Sequence, residues 1–99
     1  MYSNCITVHV KKSEIKKFLE LTDIVMKATL ENEPKCKWFD LMQSSTDEAE
    51  FMFYEAYEDK ESFDEHLAQP HTKLWLSQTL ELFDDKIGLH SYNQVFLQN

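Results

Sequence analysis

The residues best suited to chemistry are one carboxylate and two histidines in a short stretch of chain. Glu55 falls inside an apolar run, between Phe53 and Tyr57 on the same strand face. If another layer covers that face, the carboxyl must be paired, hydrogen-bonded or protonated. A buried carboxyl beside a tyrosine and a histidine is an acid/base constellation. The competing reading is a structural glutamate bonded to a helix terminus or to Tyr57. His66 faces inward if Phe63 and Leu67 do. Its side-chain type titrates near neutrality, which makes it the candidate general base; a satisfied core or rim histidine is the alternative. His71 follows across Pro70. A helical metal pair needs ligands four apart on one face, and this spacing does not supply one, so no metal site is expected. His9 shares a strand face with Thr7 and is a weaker candidate for lining a cavity. His90 reads as structural or exposed.

Other chemistries lack their residues. The single glycine cannot build a GxGxxG or Walker loop, and neither GxSxG nor paired CxxC occurs. The formal net charge of −8 opposes nucleic acid and anionic membrane as partners. All ten basic residues are lysines, so bidentate grip of a phosphate or carboxylate is not available. Cys5 and Cys36 have no metal-ligand spacing and read as reduced, mostly buried thiols of a cytoplasmic protein. Neither a signal peptide nor a membrane-spanning stretch is visible.

Several elements must hold these groups. Cys5–Val10 alternates as a strand. Ser13 is a plausible N-cap for a long helix carrying Ile15, Phe18, Leu19, Thr22, Val25, Met26 and Leu30 as an apolar stripe. Pro34 ends that helix. Cys36–Gln43 and Glu50–Tyr57 are strands joined by a polar hairpin loop. Both faces of the second are largely apolar, which predicts burial of its outer face by another subunit. Asp59 caps a short helix, Pro70 opens another bearing Leu74, Trp75, Gln78 and Leu82, residues 84 to 88 turn, and Leu89–Leu97 is the last strand. The chain of 99 residues suits one domain. The order β-α-β-β-α-α-β predicts an α+β, ferredoxin-like fold with a four-stranded antiparallel sheet. Trp38, Trp75, Phe39 and Phe53 read first as core.

The stretch from Phe53 to His71 resembles the signature of the antibiotic biosynthesis monooxygenase family: an aromatic strand with Glu55 and Tyr57, an acidic turn, Phe63, then His66 and His71 flanking Pro70. Glu33-Pro34-x-Cys36 is similar to the family's E-P-G-C turn, with Lys35 replacing the glycine. The resemblance implies a dimeric α+β barrel, made when two open sheet faces pack together, and a substrate pocket between sheet and helices. It implies a cofactor-free monooxygenase of a quinol or phenol as the leading function, with His66 or His71 as base, Glu55 and Tyr57 orienting base or substrate, and no cofactor. Phe39, Phe53, Phe63 and Trp75 would wall the pocket, with His9 beside them. A second branch isomerises a small phosphorylated hydroxy-diketone; there Lys73 would be the nearest phosphate contact, although no Arg is present to clamp one. Haem degradation fits less well, because Tyr57 stands where those members carry Trp and no first-strand Asn stands out. A non-catalytic ligand-binding dimer is the third expectation.

Overall fold

The computed structural model of the chain describes residues 1–84 and 87–96. The elements follow the expected order: β1 (Tyr2–His9), α1 (Ile15–Asn32), β2 (Cys36–Gln43), β3 (Glu50–Tyr57), α2 (Lys60–Ala68), α3 (Pro70–Thr79) and β4 (Gly88–Asn93). The strands form one antiparallel sheet in the order β2-β3-β1-β4, the ferredoxin-like arrangement. Among the described residues no helix is long and apolar enough to cross a membrane.

The core lies between the sheet and the helices. Side chains alternate across a strand, so Val8, Phe51, Phe53, Glu55 and Tyr57 all turn to the helix side and are buried there. Phe18 of α1 meets Phe51 at 5.0 Å and Phe53 at 6.1 Å between ring centroids. Such aromatic contacts add to the burial energy of each ring.

Three local expectations are corrected. Ser13 is not an N-cap; Lys12–Glu14 forms a 3₁₀ turn, and α1 starts at Ile15. The buried stripe of α1 is Phe18, Thr22, Val25 and Thr29, while Leu19 and Leu30 are exposed. Thr29 is tolerated inside because its hydroxyl donates to the Val25 carbonyl at 2.8 Å. On α3 the buried residues are Thr72 and Thr79, and Leu74 is exposed.

Trp38 is also not core. A bulge in β2 opposes Cys36 to Tyr57 and Trp38 to Ala56, so Lys37 is the extra residue. The bulge reverses the alternation. Cys36 stays inward and Trp38 emerges on the open face, 55% exposed. The last strand is shorter than expected, ending at Asn93; Leu97, and Asp85 and Lys86 of the preceding turn, lie outside the described residues.

Candidate active site

Three helix ends converge to build the site. Pro34 cannot continue α1, so the helix closes at Asn32 and Glu33 leaves the helical conformation (φ −123°, ψ 84°) just beyond it. Asp59 caps α2, its carboxylate accepting from the Ser62 amide at 2.8 Å. Gln69 is extended (φ −68°, ψ 143°) and serves both as the end of α2 and as the entry to α3, with Pro70 in the first helical position. This break turns α3 against α2. Histidines that a continuous helix would send in different directions now face one partner, with ring centroids 6.3 Å apart.

That partner is Glu33. His66 Nδ1 lies 2.9 and 3.0 Å from its two carboxylate oxygens. His71 Nε2 lies 2.5 Å from Oε2. The Glu33 and His66 side chains are almost fully buried, and His71 is mostly so. A carboxylate accepts only, so each imidazole presents an N–H to it, and this fixes the tautomers: His66 carries its proton on Nδ1. Its Nε2 makes no hydrogen bond among the described residues. The ring is enclosed by Tyr57, Phe39 and Phe63, with centroids at 5.2, 6.0 and 6.3 Å. Burial in this shell lowers the His66 pKa, outweighing the Glu33 charge that raises it. His66 is therefore uncharged at neutral pH.

His66 stands on the wall of the main cleft, about 720 Å³ including its open mouth. The enclosed space within it is about 150 Å³, small for a ligand pocket. Ile6, Val8, Phe39, Phe53, Phe63 and Trp75 supply apolar walls. Among the described residues, Glu55, His66 and Thr72 are the polar ones that line it. Trp75 is held by its indole N–H, which donates to the Thr22 hydroxyl at 3.1 Å, and its ring meets Phe53 edge-on at 5.5 Å. Phe39, Phe53, Phe63 and Trp75 are thus brought together with Glu55 and His66.

Glu55 is 3% exposed. Burial pushes its carboxyl up to about 7, with the Glu33 charge adding to the rise and Tyr57 and Asn4 opposing it. The Tyr57 hydroxyl and the Asn4 amide nitrogen are buried without a hydrogen-bond partner of good geometry among the described residues. Both nevertheless favour ionised Glu55, so they sit as potential donors to it. Burial drives the Tyr57 hydroxyl far above its ordinary range, which makes it a donor rather than a base. Tyr57 lies on a second, smaller cleft with Glu33 and Cys36, outside the main one. The Cys36 thiol is pushed up to about 11, chiefly by burial, and is no nucleophile at neutral pH.

Two expected site residues are placed elsewhere. His9 Nε2 lies 3.0 Å from Asp47 and 3.6 Å from Glu50 at the hairpin end of the sheet. Lys73 is exposed on α3. Neither lines the main cleft. Glu33, the centre of the constellation, was read in the sequence only as part of a turn. Its signal was the Glu-Pro-x-Cys pattern at a helix end, where a side chain can fold back under the helices. Asn4 was passed over too: it is a first-strand asparagine, fully buried, whose Oδ1 accepts from the Ser91 hydroxyl at 2.6 Å. Its place near the chain start hid it.

Comparison with known proteins agrees with this architecture. Residues 1–78 match the family described as antibiotic biosynthesis monooxygenase. A proposed antibiotic biosynthesis monooxygenase from Nitrosomonas europaea superposes with a TM-score of 0.91 at 24% identity, over 97% of this chain and 100% of its own. One from Caulobacter crescentus gives 0.92 at 17% identity, over 96% and 90%. A conserved protein from Methanosarcina mazei gives 0.90 at 20% identity, over 94% and 91%. At these identities the likeness is one of fold. None of the curated proteins compared with the chain matches it. From the family match over most of its length, the chain belongs to the antibiotic biosynthesis monooxygenase family.

Proposed function

We propose that the protein is a cofactor-independent monooxygenase of a small phenol or quinol, with His66 as the base. The observation that carries this reading is the Glu33–His66 pair on the wall of an aromatic cleft. Glu33 holds Nδ1–H, so the lone pair of Nε2 is available to take a phenolic proton, and the buried carboxylate stabilises the imidazolium that forms. The resulting phenolate is electron-rich and reduces dioxygen itself. One oxygen atom becomes a ring carbonyl and the other leaves as water, so the substrate supplies every electron. Phe39, Phe53 and Trp75 suit a flat ring, and Glu55, which lines the same cleft, orients its polar edge in this reading. Oxygen uptake on a panel of quinols, with ¹⁸O₂ to follow the incorporated atom, tests the reaction.

One observation favours a second reading. Glu55 titrates near neutrality in the same cleft as His66, and two such groups can move a proton between neighbouring carbons through an enediol. That suits isomerisation of a small hydroxy-diketone. No lysine lines the cleft among the described residues, which favours an uncharged substrate over a phosphorylated one. Isomer exchange under nitrogen, where the oxygenase is silent, separates the two.

We also propose that the working unit is a homodimer joined through the open sheet face. Trp38 and Tyr92 stand more than half exposed there and Met42 is 42% exposed, beside Met52 and Tyr54. An apolar surface of this kind marks an interaction site.

A further inference from the structure

We propose that Glu33, His66 and His71 form a three-ligand site for a divalent transition-metal ion of the Zn²⁺ class. The donor set is one carboxylate and two imidazole nitrogens, from the ends of three different helices. These ligand atoms all lie within 4.8 Å of one another. In a tetrahedral zinc site, bonds of about 2.0–2.1 Å separate neighbouring ligand atoms by about 3.3 Å. Glu33 already lies 2.9 Å from His66 Nδ1 and 2.5 Å from His71 Nε2. From the single oxygen Oε2 the two nitrogens lie at 3.0 and 2.5 Å, so a tetrahedral site widens these separations by about 0.3 and 0.8 Å, taken up by a side chain that hangs from a residue beyond the end of α1.

Ligand chemistry selects the ion. Two imidazoles disfavour Ca²⁺ and Mg²⁺, which take oxygen donors, and favour Zn²⁺ and its neighbours in the transition series. Three protein ligands leave the fourth position open. Glu33 makes no ion pair with a lysine among the described residues; its partners are the two histidine rings. The ion replaces the two N–H···O bonds to Glu33, each imidazole moving its proton to its other ring nitrogen, and breaks no pair with a lysine.

This proposal stands apart from the oxygenase reaction, because binding is measured without turnover. It also has a consequence for that reaction. An ion on Nδ1 leaves the ring proton on Nε2, and His66 can then accept no proton. The ion is a competitor for the base, not a participant in oxygenation.

The test is equilibrium dialysis or calorimetry with Zn²⁺ on the whole chain. The expected result is one ion per chain at micromolar affinity or tighter. Glu33→Gln and His71→Ala should each weaken binding at least about tenfold, while His9→Ala, in the separate His9–Asp47–Glu50 cluster, should leave it intact. Affinity weaker than millimolar overturns the site, as does binding that survives both ligand variants or is lost in His9→Ala. Should the ligand variants fail to fold, Co²⁺ bound to the unaltered chain decides. Intense visible absorption of a four-coordinate site supports the assignment, and the pale spectrum of a hexa-aqua-like ion overturns it.

Discussion

The Glu33 carboxylate grips His66 Nδ1 through both of its oxygens, at 2.9 and 3.0 Å, although 33 residues separate them in sequence. The pair exists because α1 stops at Asn32, before Pro34, and α2 stops at Ala68, before Pro70, which brings the two ends together. Glu33→Gln should keep the volume and lose the charge. The imidazolium would lose its counter-charge and the ring its fixed tautomer. Turnover is expected to fall by roughly 10²–10⁴ with little change in KM, the range typical of acid/base catalysis. Steady-state oxygen uptake measures it, and an unchanged rate would remove Glu33 from the account.

Glu55 should leave a signature in stability. Its carboxyl is pushed up to about 7 in the fold from an ordinary value of about 4.5. Between those values the folded state holds a proton that the unfolded state has released. Stability must therefore fall as pH rises through this window, by roughly 3 kcal/mol if the full difference is expressed. The loss is complete above the folded pKa. Glu55→Gln cannot ionise and should lack this slope. Denaturant midpoints for both proteins from pH 4 to 8 give the difference, and parallel curves would contradict a buried, protonated Glu55.

Phe53 joins the core to the cleft. It is 3% exposed and touches Phe18, Phe39 and Trp75. Phe53→Ala should cost about 3–5 kcal/mol, since the ring leaves a cavity that its neighbours only partly fill. Phe53→Leu should fold and mainly raise KM. Thermal melts and saturation curves check the pair of variants.

The open sheet face predicts assembly. Sedimentation should give twice the chain mass of 11.8 kDa. Tyr54→Lys, which puts a charge in the middle of that face opposite Asp40 and Cys5, should shift the protein toward monomer without unfolding it. A monomeric unaltered chain would contradict the proposed interface.

Much of the fold was legible because its signals are local. The apolar positions of α1, the two-sided β3, the Asp59 cap and Pro70 all state their structure within a few residues. The site was legible where it sits on those elements: Glu55 on β3, and His66 on the inner face of α2. What stayed hidden is non-local. Glu33 acquires meaning only when α1 is laid beside α2, and the spacing of His66 and His71 says little until the break at Pro70 is seen to turn α3 against α2. Trp38 was read as core together with its neighbour Phe39; a strand turns only one of two neighbours inward, and the bulge at Lys37 leaves Phe39 inside and Trp38 on the open face. Threonines 22, 29, 72 and 79 line the core because their hydroxyls find partners there or fit small spaces, which hydrophobic pattern alone does not reveal.

The central claim is that His66, held by Glu33, is the base of a cofactor-free oxygenase. The most direct test is oxygen consumption by metal-stripped protein on a panel of quinols, with His66→Ala alongside. The account predicts uptake by the unaltered protein that disappears in a variant which still folds and sediments normally. Uptake that survives His66→Ala, or none on any quinol while the panel binds in the cleft, would contradict it.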